Sequence, residues 1–470
     1  MHIATSSAFK ENASKALSNS GLQKALARSG PSFIARRAAA VAALPEFEQL
    51  RDTARDIKNH ALANLDFYLE AYEAKVLDSG GKVHWCADAG EARDTVLAIC
   101  KAANARTVTK GKSMIGEEIA INDHLEQHGI TPVETDLGEY IIQLRDEPPS
   151  HIIGPALHLS KEQVADTFRA AHTTLDAERP LGERQQLVAE ARRVLRAQFE
   201  GADAGITGAN FLAADEGAAV IVTNEGNGDL TRLLPNTHIV LTGIEKVVRD
   251  LGDVSVLLRL LTRSATGQNI STYVSVMTAP MGRAGDGPKN FHVVLLDNGR
   301  SKLIGTEAQD VLRCIRCAAC LGHCPIYGAV GGHAYGATYS GPIGAALNPN
   351  LLGIKEASHH ANASTFCGRC AEICPVKIPL PKIMRYWRAR EYADGLAPKA
   401  AVLGLSAWAF LAKRPALYRL ATALAARILK ALSGRRGAVR SLPLMGGWFL
   451  VRDFPAPSGK TFHELWKAQP

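Results

Sequence analysis

Seven cysteines carry the most specific chemistry in this sequence. They fall as Cys314-x2-Cys317-x2-Cys320-x3-Cys324-Pro325 and, 43 residues after Cys324, as Cys367-x2-Cys370-x3-Cys374-Pro375. Thiolates spaced three positions apart wrap the backbone around one small object, as a cubane iron-sulfur cluster requires, and the fourth cysteine of such a run reaches a neighbouring cluster. By that rule Cys314, Cys317, Cys320 and, crossing over, Cys374 hold a first cluster. Cys324, Cys367 and Cys370 hold a second that is one ligand short, because a full repeat of the motif needs cysteine at position 364, where the chain has Ser364. The second site is then a four-iron cluster with a weak fourth ligand (Ser364, water or a partner residue), a three-iron cluster, or a cluster completed from elsewhere. His359 and His360 lie nearby and read as surface decoration. A structural zinc site wants four ligands in two pairs, which seven cysteines in this pattern do not provide. Two adjacent clusters predict one-electron transfer.

Other residues offer weaker chemistry. Lys110-Gly111-Lys112-Ser113 resembles the end of a phosphate loop, but Arg106 stands where the first glycine belongs, so that reading fails. Thr109 or Ser113 is instead expected to start a helix with Glu117 and Glu118 in its first turns. Lys110 and Lys112 read as a solvated pair, with an anion site as the alternative. From Gly205 to Gly217, and again at Asn224-Glu225-Gly226-Asn227, Gly and Asn cluster at strand ends. Such residues suit a tight turn or a ligand-lined loop, with Thr207, Gly208 and Asn210 the candidate ligand residues. Asp215, Glu216 and Glu225 are as well explained by capping and turns as by acid-base work. No Gly-x-Gly-x-x-Gly follows a strand, so a bound dinucleotide is not indicated. Cys86 and Cys100 lie in apolar segments and are expected to be buried, inert thiols.

The elements that must position these residues change along the chain. Residues 1–75 have helical spacing and a stop signal at Asp78-Ser79-Gly80-Gly81. Beyond them, short β-branched or apolar runs at 82–87, 107–109, 131–135, 140–144, 218–223, 237–242, 273–277 and 292–296 alternate with helical blocks. Strands separated by helices imply an α/β sheet that is largely parallel. The expected organisation is an N-terminal helical segment (1–75), an α/β domain (76–300), a helical, ferredoxin-like dicluster domain (301–390) and a basic helical C-terminal region (391–470). In the last region 400–412 is nearly all apolar and 416–433 amphipathic.

Composition narrows the function classes. With 46% hydrophobic and 21% charged residues, the 470-residue chain is neither disordered nor collagen-like. No run approaches the roughly 20 apolar residues of a membrane-spanning helix. The first 50 residues carry scattered charges without an apolar secretory core, and an odd, crowded set of cysteines argues against a disulfide framework, so a cytoplasmic location is expected. The net charge of +8 is uneven: residues 385–440 hold twelve Lys/Arg against Glu391 and Asp394, and the other 414 residues carry about −2. A nucleic-acid binder would spread positive charge over its working domain, so no nucleic-acid partner is expected. The basic segment also holds Trp387 and Trp408, with Trp448 and Trp466 close behind. Packing on the cassette or on a partner subunit is the plainer expectation for it, and peripheral contact with an anionic membrane surface the alternative.

Several stretches together resemble a known family. Val108 to Met114 with Glu117-Glu118, Gly205 to Gly217, Asn224 to Asn227, Leu234 to His238 and Arg313-Cys314-Ile315-Arg316-Cys317-Ala318-Ala319-Cys320 resemble the L-lactate utilization protein B family, iron-sulfur subunits of a three-part lactate-oxidising system. The resemblance runs over nearly the whole chain. It implies a lactate-utilization domain with an isomerase/CoA-transferase-like sheet, two 4Fe-4S clusters, and Ser364 as an ordinary feature of the family. It implies further an electron-transfer role in oxidation of L-lactate to pyruvate, with other lactate-utilization subunits and a downstream acceptor as partners. Two other readings are an organic-acid oxidoreductase whose own α/β domain binds the substrate, and a cluster-based sensor of oxygen or iron.

Overall fold

Six strands form an all-parallel sheet: β1 (Lys82–Cys86), β2 (Thr107–Lys110), β3 (Thr131–Glu134), β4 (Ala204–Thr207), and two later strands, Thr237–Gly243 and Asn290–Leu296. Between them come β5 (Phe211–Ala213) and β6 (Ala218–Thr223), so the later strands are β7 (Thr237–Gly243) and, after β8 (Val247–Val248) and β9 (Tyr273–Met277), β10 (Asn290–Leu296). The order across the sheet is β1-β10-β7-β4-β2-β3. In this computed structural model residues 5–279, 288–442, 449 and 452–468 are described.

Central β7 reads Thr-His-Ile-Val-Leu-Thr-Gly and is buried at all seven positions, as a parallel strand covered on both faces must be. Its alternate side chains enter different cores. Ile239 and Leu241 pack with Val96, Ile99 and Cys100 of the helix Ala89–Ala102. Val240 packs with Tyr68, Leu69, Tyr72 and Val76 of the helix Leu65–Asp78. Cys86 and Cys100 are buried, and burial pushes both thiols up, Cys100 to about 12, which fits inert thiols.

Strand order places a switch in the sheet. After β2 the chain moves outward to β3, whereas after β4, on the other side of β2, it moves inward to β7. The loops leaving the carboxyl ends of β2 and β4 therefore diverge and leave a crevice between them. Gly205 in β4 lets the helix Asn227–Leu233 lie against the sheet, since a Cβ there would meet the Thr231 carbonyl.

A second sheet, ordered β8-β5-β6-β9, was not anticipated. Its β5–β6 pairing is antiparallel and turns through Gly217, whose φ of 60° suits glycine. The run 140–144 forms no strand: it closes the helix Leu137–Leu144. Asp136 caps that helix, its Oδ1 accepting from the amides of Gly138 (3.0 Å) and Glu139 (3.2 Å). The cap and the burial of Tyr140, Ile141 and Ile142 outweigh the local β propensity of the run.

The N-terminal helices Phe9–Ser18, Ser20–Ala42 and Phe47–Ala63 share one apolar core with β5, β6 and the cysteine cassette. Two of their arginines also serve the cassette backbone. Arg51 donates to the carbonyls of Cys374 (3.0 and 2.8 Å) and Glu372 (2.7 Å), and Arg37 to that of Ile373 (2.8 Å).

The chain divides into two compact units, Met1–Arg390 and Glu391–Pro470. In the second, the helices Lys399–Ala412 and Pro415–Ser433 fall on the segments expected from the sequence. A short antiparallel pair, Ala438–Val439 with Phe454–Pro455, and the helix Phe462–Lys467 follow. Trp448 lies outside the described residues. Among the described residues no helix is long and apolar enough to cross a membrane.

Candidate metal centre and the adjoining cavity

The two cysteine loops repeat one backbone device. In the first, Arg316 and Ala318 take φ of 59° and 58° on either side of Cys317; in the second, Phe366 and Gly368 take 54° and 84° on either side of Cys367. Left-handed residues inside such short turns aim successive amides at one point, a concavity that attracts anionic sulfur. The amide of Arg316 donates to Cys314 Sγ at 3.4 Å, and that of Phe366 to Ser364 Oγ at 3.1 Å. Ser364 thus has the local geometry of Cys314, with oxygen in place of sulfur.

The thiols fall into two neighbourhoods. Cys314, Cys317, Cys320 and Cys374 line one cavity with Ile152, Ile343 and Val376. Burial pushes the Cys317 and Cys320 thiols far up and Cys374 to about 11, and like-charge repulsion among these four adds to it. Cys370 is pushed to about 12 by burial and then by Cys324 and Cys367; Cys324 is raised by burial and by Cys367. Such thiols keep their protons unless a strong Lewis acid takes their place. Among the described residues no three His, Cys, Asp or Glu side chains form a group sized for a single metal ion. Converging thiols, inward amides and four cysteines on one cavity fit a larger, multi-iron object. Cys317, Cys370 and Cys374 are buried, whereas Cys367 is exposed.

His360 is no surface decoration: it is buried, and its ring nitrogens meet the Tyr335 carbonyl at 2.8 Å and Asn348 at 3.2 Å. The solvated-pair reading of Lys110 and Lys112 also fails. Lys110 is buried and ion-paired to Glu117 (2.8 Å) and Glu134 (2.7 Å). Ser113 caps the helix Met114–Glu118 as expected, accepting from the Gly116 amide at 3.1 Å.

A cavity of about 260 Å³ opens at the switch in the sheet. Lys112 and Ser113 after β2, and Gly208 and Asn210 after β4, line it. Of the candidate loop, Thr207 turns away: its hydroxyl pairs with buried His238 Nε2 at 2.8 Å. Asn210 Oδ1 is occupied by the Val222 amide at 2.9 Å. Asp215 and Glu216 lie on an exposed turn, where Glu216 accepts from the Leu251 amide. Glu225 is exposed and lines the cavity.

Sequence reasoning missed the inner wall of this cavity, formed by Lys246, Arg316 and Tyr339. Arg316 and Ile152 line both this cavity and the one holding the four cysteines, so they form the partition between the two. A buried charge network supports the partition. Arg300 pairs with Glu118 and Glu245, each at 2.8 Å, and Arg316 reaches Glu245 at 3.4 Å while lying 4.6 Å above the Tyr339 ring. Tyr339 donates to Glu118 at 2.8 Å, and Lys58 to the Glu245 carbonyl at 2.5 Å. Burial lowers Lys58 to about 7 and Lys246 to about 8. The position of Arg316 inside the Cys-x-x-Cys turn was the one available hint; nothing in the sequence around Lys246 marks it.

Comparison with known proteins agrees with these features. Residues 69–296 match the LUD domain, 310–378 a 4Fe-4S dicluster domain, and 388–470 the C-terminal region of lactate utilisation protein B. Lactate utilization protein B of Bacillus velezensis is 42% identical over 99% of this chain and 98% of its own. That of Bacillus subtilis is 41% identical over 97% and 95%. A crystal structure of a DUF162 family protein from Deinococcus radiodurans covers 49% of this chain and 98% of its own at 16% identity, with a TM-score of 0.28. Full-length similarity at this level, with all three family regions in order, means that the chain belongs to the lactate utilization protein B family.

Proposed function

We propose that the chain is the iron-sulfur electron-transfer subunit of a system that oxidises L-lactate to pyruvate, working with other lactate-utilization subunits and a downstream acceptor in the cytoplasm. The family membership supports the substrate, and the 4Fe-4S dicluster match supports the cofactor class. The observation that carries the reading is the pair of matched loops, with left-handed residues either side of Cys317 and Cys367. We assign Cys314, Cys317, Cys320 and Cys374 to one 4Fe-4S cluster and Cys324, Cys367 and Cys370 to a second, with Ser364 as its weak oxygen ligand. When bound, such clusters supply one-electron transfer.

The chain's own residues give the path a direction. The first set of cysteines lies against the interior partition of Arg316 and Ile152, and the second ends at exposed Cys367, where a partner protein can approach. Backbone amides near Cys317, Cys324, Cys370 and Cys374 hydrogen-bond the sulfurs and favour their charged form. Protein purified without oxygen is expected to contain about eight iron and eight sulfide per chain, and Cys317→Ala to lose about half. Absence of any reducible paramagnetic signal, or lactate-dependent growth that survives Cys317→Ala, sinks the proposal.

The C-terminal unit is proposed as a peripheral contact with the inner face of the membrane. Leu403, Trp408 and Phe410 in the helix Lys399–Ala412, and Leu420 and Leu424 in the helix Pro415–Ser433, are all more than half exposed. Exposed Arg414, Arg419 and Arg427 accompany them. Apolar rows beside cations are what an anionic lipid surface recruits.

A further inference from the structure

The cavity at the sheet switch borders the proposed redox centre, and its chemistry is lopsided. Its inner wall is cationic. Lys246 is 6% exposed, and its side chain has no hydrogen-bond or ion-pair partner among the described residues. Lys112 Nζ is buried without a hydrogen-bond partner, with Glu139 at 4.0 Å as its nearest carboxylate. Arg316 lines the cavity from the partition, its guanidinium set 3.4 Å from Glu245 and over the ring of Tyr339, itself a lining residue. A buried ammonium without an acceptor is costly, and the cost falls when an anion enters. Of the two lining carboxylates, Asp136 caps the helix Leu137–Leu144 and Glu225 is exposed; Arg316 already has Glu245 at 3.4 Å and Lys112 only a distant Glu139, so Lys246 is the inner cation left without an ion pair among the described residues.

The rest of the lining fixes what kind of anion fits. Met114, Ile152, Leu241 and Leu261 supply apolar surface, and Asn227 and Thr262 supply polar groups. An inorganic anion would leave the apolar side unused. At about 260 Å³ the space is too small for a nucleotide cofactor and ample for an acid of a few carbons. The location also follows the rule that ligands of open parallel sheets lie outside the carboxyl ends of strands where the order reverses.

We propose that this cavity binds a small organic carboxylate, of the 2-hydroxy- or 2-oxo-acid class, with the carboxylate held by Lys246, Lys112 and Arg316 against the partition. The choice of acid rests on the proposed lactate function; the existence of the site rests on the cavity alone. Because Arg316 belongs to the turn between Cys314 and Cys317, the bound acid lies beside the first set of cysteines.

The test is titration calorimetry on the full-length, anaerobically purified protein with L-lactate, pyruvate, lactamide and inorganic phosphate. Saturable binding of L-lactate or pyruvate, with lactamide silent and phosphate failing to compete, is the expected result. Lys246→Met and Lys112→Met are each expected to weaken binding about tenfold or more, and Lys246→Arg to hold within about threefold. Iron content and far-UV circular dichroism verify folding, and if Lys246→Met fails to fold, Lys112→Met decides. No saturable heat with either acid, equal binding of phosphate, or full affinity in the folded Lys→Met variants overturns the proposal. Calorimetry reads the cavity and iron analysis reads the clusters, so the failure of one is distinguishable from the failure of the other.

Discussion

Arg316 joins the two halves of the chemistry. Its amide serves Cys314 Sγ, its left-handed backbone turns the loop, and its guanidinium is held by Glu245 and the Tyr339 ring. A lysine there would keep the charge but lose the planar group that stacks and forks. Histidines make the other residue-scale point. Burial holds His238 at about 3, and burial, with Lys112 nearby, holds His151 at about 3, both far below the ordinary value of 6.5. A native state that refuses a proton the unfolded chain accepts loses stability as pH falls below 6.5, down to the folded value. At pH 5 each neutral histidine therefore costs up to about 2 kcal/mol of stability relative to pH 7. Urea unfolding at pH 7 and pH 5 is expected to show that loss, and His238→Gln to reduce it; a pH-independent midpoint would contradict the burial argument.

At the scale of elements, the crevice exists because β2 and β4 send their chains in opposite directions, and β4 is held in place by the helix Asn227–Leu233. Gly205 permits that contact, since an added Cβ would overlap the Thr231 carbonyl, which is backbone and cannot swing aside. Gly205→Ala is expected to destabilise the protein by about 1–3 kcal/mol. It is also expected to weaken acid binding, because Asn227 and Gly228 line the cavity from the same helix. A variant with unchanged urea midpoint and unchanged binding would show that the helix yields freely. The second sheet belongs to the same scale: β5 and β6 bridge the cassette core and the face of the main sheet, with Phe211 and Val220 in the first and Leu212 and Ala219 in the second.

At the scale of the whole molecule, charge is divided by unit. Residues 385–440 carry a surplus of +10, more than the whole net charge of +8, and the other 414 residues carry about −2. Each Lys or Arg near an anionic leaflet contributes about 1 kcal/mol, so deleting residues 400–440 is expected to abolish cosedimentation with phosphatidylserine-containing vesicles while leaving iron content intact. Unchanged vesicle binding after the deletion removes the membrane reading and leaves a partner subunit as the occupant of the exposed apolar rows.

Legibility in the sequence followed how local each feature is. Cluster chemistry was readable because ligand spacing is written in consecutive residues: Cys314, Cys317 and Cys320 need only one turn of backbone to converge. Parallel strands were readable for the same reason, as buried β-branched runs between helices. Residues 140–144 misled because a β-branched run says nothing of the Asp136 cap that precedes it. Lys110 misled because its partner Glu134 belongs to the neighbouring strand. The cavity was beyond reach of any local pattern: Lys112, Lys246 and Arg316 come from three distant stretches, brought to one wall only by strand order and the docking of the cassette against the sheet. Sequence by itself determined which thiols stand at the spacing of a dicluster motif. Tertiary structure decided what stands next to them, because burial and unpaired charge are properties of neighbours that the chain acquires only on folding.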